Sequence, residues 1–179
     1  AGSTVVEHDV ATLDEERPLK GEQFDLIVSL SSVDRVNDLP GALLHMRNAL
    51  ADDGLMVASF LGAGSLPNLR RAMIASEPDR PTARMHPLVD NQAASALLQR
   101  ALFKRQVVDS RRLTVSFASL DRLVSDLRDQ GLGSTLANVP PPLGKRAKKR
   151  ADNAFMTAAN DKGRVLEIFE ILTLTGWKD

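Results

Sequence analysis

The chain has 179 residues, no formal net charge and 43% hydrophobic residues, which suits one domain with a sizeable core. It contains no cysteine, which excludes disulfides, thiolate catalysis and thiolate metal sites. No apolar run reaches the ~18 residues of a membrane-spanning helix, and the first residues carry no signal-peptide pattern.

The neutral total conceals an asymmetry. Residues 1–60 carry 4 basic and 11 acidic side chains, a net −7, residues 61–150 carry 16 and 7, a net +9, and residues 151–179 have a net −2. A basic middle suits an acidic protein, an anionic lipid surface or nucleic acid, or is simply a set of solvated faces. Aromatic residues are scarce and tyrosine is absent, so nucleic acid is not an expected partner.

Ser3 to Val6 reads as a short strand, with His8 and Asp9 at its carboxyl end. A polar stretch containing Pro18 and Gly21 leads into Phe24–Leu30, a nearly unbroken apolar run that predicts a strand buried on both faces of a parallel sheet. Asn37 or Asp38 is placed to cap the next helix, with Pro40 in its first turn. Leu39, Leu43, Met46 and Leu50 then form one apolar stripe. Asp53-Gly54 is expected to end that helix, and Leu55–Leu61 to return as a second buried strand. Such a strand–helix–strand unit has a right-handed crossover.

The next turn, Gly62-Ala63-Gly64-Ser65, invites comparison with a phosphate-cradling loop, but it matches neither GxGxxG nor GxxxxGK[ST]. Ser65 reads more simply as the cap of a helix over 66–76. Residues 77–87 form a loop with three prolines, in which Arg80, Arg84 and His86 read as plain surface residues. Asp90 is placed to cap a helix with Ala93, Ala94, Leu97, Leu98 and Ala101 inward. Residues 107–117 alternate with period two, as an edge strand does. Ser119 caps a helix that ends at Gly131. VPPPLGKRAKKR enters a further helix with Ala147, Ala151, Ala154, Phe155 and Ala158 inward, its cations solvated or turned to an acidic partner. Val165 to Thr175 is largely apolar on both faces, so it belongs inside the sheet.

FDLIVS, VNDLPGAL and DDGLMVASFLG, with LLQRALF and the closing LTGWKD, resemble the second half of a class I S-adenosylmethionine-dependent methyltransferase. The nearer likeness is to the branch of the methyltransferase-like complex I assembly factor and the carrier-protein methyltransferase of biotin synthesis. The resemblance implies an α/β fold: a partial Rossmann-like methyltransferase sheet, mostly parallel with a terminal antiparallel strand, and helices on both faces. Residues 1–179 would be the C-terminal portion of one such domain.

The implied cofactor is S-adenosylmethionine. By the same resemblance Asp9 accepts from the adenine amino group and the Val10 amide reads the ring, with Asp14 as the alternative acid. Ser29, Leu30 and Ser31, followed by Ser32, border the methionine part. The resemblance also implies that the loop over 77–87 overlies the active site, where Arg80, Arg84 and His86 would meet an acidic substrate. No catalytic residue and no metal ligand is indicated. Three departures matter: Asp34-Arg35 stands where the branch has His or Gln and an aromatic, Leu102 replaces a glycine, and no GxGxG turn precedes Phe24. The expectation is therefore weak or no cofactor binding by these residues alone, and self-association through the unpaired sheet edge. The acceptor would be a protein or a carrier-bound acid. The alternative is a non-enzymatic assembly or interaction protein on the same scaffold, and arginine hydroxylation is a third. The implied location is the cytoplasm, or an organellar matrix in a eukaryote.

Overall fold

The computed structural model describes residues 4–7, 17–19, 23–79, 82–133, 136 and 138–179. One sheet has the strand order β1 (Phe24–Leu30), β2 (Leu50–Leu61), β4 (Val165–Trp177), β3 (Lys104–Phe117). β1 and β2 are parallel, with Ile27 opposite Met56 and Leu30 opposite Ser59. β4 runs against β2: Lys178 N–H donates to Gly54 O and Gly62 N–H to Glu170 O, so one number falls as the other rises. Ser110 meeting Glu170 and Ser116 meeting Arg164 give the same sense for β3. The α/β class, the antiparallel last strand inside the sheet and the edge position of β3 all agree with the sequence. Residues 4–7, by contrast, form no strand.

The chain divides into two compact units, Ala1–Phe60 with Gln92–Asp109 and Thr173–Asp179, and Leu61–Asn91 with Ser110–Leu172. In the first, α1 (Leu39–Ala49) starts at Asp38, whose carboxylate accepts the Gly41 N–H at 3.0 Å. Leu39, Ala42, Leu43 and Met46 are its buried stripe. The helix stops at Ala49, ahead of Asp53-Gly54, which lies inside β2. There the strand partners jump from Phe24–Leu50 to Leu26–Leu55. This bulge needs glycine, because a Cβ on Gly54 would sit 2.8 Å from Ala51 O and 3.0 Å from Phe24 O.

The register sorts the faces of β1. Met56, Ala58 and Phe60 on β2 are buried on the side of Ile27 and Ser29. Leu26, Val28 and Leu30 point the other way and are 54%, 55% and 69% exposed. An apolar run predicts burial on both faces; here only one is buried. β1 lies at the sheet edge, and the described residues leave its second face uncovered.

α3 (Asn91–Arg100) ends in a Schellman turn, with Phe103 N–H donating to Leu98 O and Leu102 N–H to Gln99 O. Leu102 occupies the left-handed position at φ 62°. Leucine therefore keeps the turn that glycine would make, at a steric cost of about 1–2 kcal/mol. Phe103, nearly fully buried, presses so closely on Gly176 that a Cβ there would meet its ring at 2.8 Å.

The second unit holds α2 (Pro67–Ser76), α4 (Leu120–Asp129) and α5 (Lys145–Met156). Leu69, Ala72, Phe117, Leu123, Leu127, Ala151, Phe155 and Val165 form its core, and each large side chain buried there contributes about 1.5–3 kcal/mol. Ser119 Oγ caps α4 by accepting the Arg122 N–H at 3.2 Å. Gly131, at φ 68°, closes α4 in a Schellman turn of the same kind as that of α3.

Candidate functional site

A corner built from serines closes the carboxyl end of β1. Ser29 and Ser32 are both buried, and their hydroxyl oxygens lie 2.6 Å apart, so each satisfies the other. Ser31 adopts φ 52°, and its N–H donates to Ser59 O at 2.7 Å. Ser59 Oγ in turn lies 3.3 Å from Thr173 Oγ1. Two braces, one through side chains and one through backbone, thus hold the chain as it leaves the strand. They turn Leu30 and Ser31 outward, at the strand end where ligands gather in open α/β sheets. Of the residues singled out from sequence, this corner gathers Ser29, Leu30 and Ser31, with Ser29 turned inward as a brace. His8, Asp9, Val10 and Asp14 lie outside the described residues.

Close by in sequence, the 3-10 turn Val33–Arg35 packs against α1. Arg35 Nε is buried there without a hydrogen-bond partner among the described residues, as is His45 Nδ1 on α1. A buried donor of this kind is a place for a ligand oxygen or an ordered water.

The glycine turn after β2 has another role. Ser65 does not cap α2; the cap position is Leu66, at φ 58°. Ser65 Oγ instead donates to Glu170 O at 3.1 Å and accepts the Glu170 N–H at 2.9 Å. The Glu170 carboxylate accepts the Gly64 N–H at 2.8 Å and the Ser110 hydroxyl at 3.0 Å. The Glu167 carboxylate, fully buried, takes the first-turn amides of α2, Leu69 N–H at 2.9 Å and Asn68 N–H at 3.2 Å. An anion cradle there is already filled by the chain's own carboxylates. The glycines are explained by the same contact, since a Cβ on Gly64 would lie 2.6 Å from Glu170 Oε2. Sequence reasoning missed both acids, although two carboxylates in an otherwise apolar inner strand signal dedicated partners.

Arg84 is committed as well. It meets Glu77 Oε2 at 2.9 Å and donates to Pro141 O at 3.0 Å, and its side chain is nearly buried. It ties two loops together and does not stand open to an acidic substrate; Arg80 lies outside the described residues. Among the described residues no group of three His, Asp or Glu could hold a metal ion, and no helix is long and apolar enough to cross a membrane.

No protein-family model matches the chain. It is 29% identical over 188 aligned positions to arginine-hydroxylase NDUFAF5, mitochondrial, of Mus musculus, with 97% of this chain and 53% of that protein covered. It is 26% identical to a malonyl-[acyl-carrier protein] O-methyltransferase of Gallionella capsiferriformans, with 92% of this chain and 56% of that protein covered. The chain thus spans about half the length of the curated relatives it matches. Its fold is similar to that of BH2331, a methyltransferase candidate from Bacillus halodurans, with a TM-score of 0.57 at 12% identity over 96% of this chain and 70% of that one. The chain thus has the class I methyltransferase fold and is similar in sequence to NDUFAF5 and to the carrier-protein O-methyltransferase.

Proposed function

We propose that these residues form the acceptor-side part of an S-adenosylmethionine-dependent methyltransferase acting on a protein or a carrier-bound acid, and that alone they hold the cofactor only weakly. The observation that supports this most is the braced corner of β1, where Leu30 and Ser31 are presented outward at φ 52° for Ser31. Leu30 and Ser31 would border the methionine portion of the cofactor, with Asp9 and Val10 toward its adenine by family resemblance. Arg35 Nε is a nearby buried donor that a ligand carboxylate would satisfy. When bound, the cofactor supplies an electrophilic methyl group. The chain's part is alignment of the acceptor, which by itself provides much of a rate enhancement.

The uncovered face of Leu26, Val28 and Leu30 and the edge of β1 support a further part of this reading: other polypeptide packs there, a second copy included. A cytoplasmic or organellar-matrix location fits the mitochondrial relatives. Calorimetric titration of the chain with S-adenosylmethionine tests the proposal. Dissociation constants near or above about 1 mM are expected; micromolar affinity would overturn it.

A second reading is an assembly or interaction protein on the same scaffold. It is favoured by Glu167 and Glu170, which close the glycine turn between β2 and α2 with the chain's own carboxylates. Methyl transfer from labelled cofactor by a chimera joining these residues to the first half of the carrier-protein relative would favour the enzyme. A chimera that binds cofactor yet transfers nothing to protein or carrier acceptors would favour the second reading.

A further inference from the structure

α5 carries five cations in its first six residues, KRAKKR. Ala147, Ala151 and Phe155 are buried, and the helix packs against α2 and α4. Two of the five cations are committed to holding it. Arg150 donates through Nε and Nη2 to Ser76 O at 2.9 and 2.5 Å. Lys148 Nζ sits between Asp121 and Asp152, at 2.9 and 3.0 Å.

Lys145, Arg146 and Lys149 are left. All three are exposed, and none has an ion pair among the described residues. At i, i+1 and i+4 they share one side of the helix. Their placement works against local electrostatics. The first turn holds no acidic residue, and Gly144 caps it with no side chain, so these cations face the positive end of the helix dipole. Lys145 and Lys149 also repel each other at i, i+4. A helix fixed on its inner face and carrying an unneutralised positive patch on its outer face is a preformed complement to negative charge.

We infer that Lys145, Arg146 and Lys149 form a docking face for an acidic protein surface. The patch spans about 6 Å along the helix axis, a size matched by a cluster of carboxylates on a folded partner. A long polyanion would run well past it, over a chain with no net positive charge. The exposed side of α5 also offers no aromatic side chain on which bases could stack.

Fluorescence anisotropy tests the inference with three labelled probes at low and physiological salt: a helical glutamate-rich peptide, a single-stranded oligonucleotide, and vesicles containing phosphatidylserine. The peptide should bind most tightly, and more weakly as salt rises. The triple variant Lys145→Glu, Arg146→Glu, Lys149→Glu should lose about tenfold or more in affinity. The single variant Arg111→Glu on β3 should change it little. The melting temperature of the triple variant should hold or rise, because acids then replace cations in the first turn; this separates docking from a structural role. Equal binding by the triple variant, tighter binding of oligonucleotide or vesicles, or no peptide binding at all would overturn the inference.

Discussion

Glu167, near the start of β4, accepts the Leu69 N–H at 2.9 Å and so caps α2 from a strand nearly a hundred residues away in sequence. A capping side chain normally comes from the residue before the helix. Here that residue is Leu66, which has no acceptor to offer.

Glu167→Ala should therefore lower stability by about 2–4 kcal/mol, since the first-turn amides lose a charged acceptor in a buried place. Glu167→Gln keeps one acceptor oxygen and should cost about half as much. Midpoints of urea denaturation measure both. Equal losses for the two variants would show that the charge, and not the hydrogen bond, carries the effect.

Gly64→Ala should destabilise the chain by about 1–3 kcal/mol, because the added methyl meets Glu170 Oε2 at 2.6 Å. Combining it with Glu170→Ala should cost less than the two single losses added together, since the clash is then gone. Thermal unfolding of the four proteins closes that cycle.

Leu102→Gly should raise stability by about 0.5–1 kcal/mol, even though it removes a side chain. That side chain is 58% exposed and its backbone lies at φ 62°, so little packing is lost and the strain is relieved. Gly131→Ala, in the equivalent turn after α4, should lower stability by about 1 kcal/mol. Opposite signs for the two variants are the expected outcome in thermal melts.

The tie between α4 and α5 should depend on pH. The hydrogen bonds that Lys148 donates to Asp121 and Asp152 raise its pKa above the ordinary 10.5. A raised lysine contributes its stabilisation fully below pH 10.5 and loses it as pH climbs through the folded value. The difference in melting temperature between the native chain and Lys148→Met should thus be constant from neutral pH to about 10 and shrink above that.

Much of this fold is legible because its signals are local. Asp38 and Ser119 announce their helices by type and position. The largely apolar stretch of β4 reads correctly as an inner strand. The same kind of run misleads at β1, because hydrophobicity reports what a strand can bury and not whether a neighbour arrives to bury it. At the site, Ser29-Leu30-Ser31 is readable as a strand end. The inward turn of Ser29 is not, since it depends on Ser32 and on the pairing of Ser29 opposite Ala58. Glu167 and Glu170 are visible as anomalies in sequence, but the loop they serve is set by tertiary pairing alone.

The central claim is that the corner at Leu30 and Ser31, and not the glycine turn after β2, faces the cofactor. Amide NMR during titration with S-adenosylmethionine tests it residue by residue. The account predicts fast-exchange shifts centred on Leu30, Ser31 and Ser32 that do not saturate below about 1 mM. Shifts centred on Gly62 to Leu69, or saturation at micromolar cofactor, would contradict it.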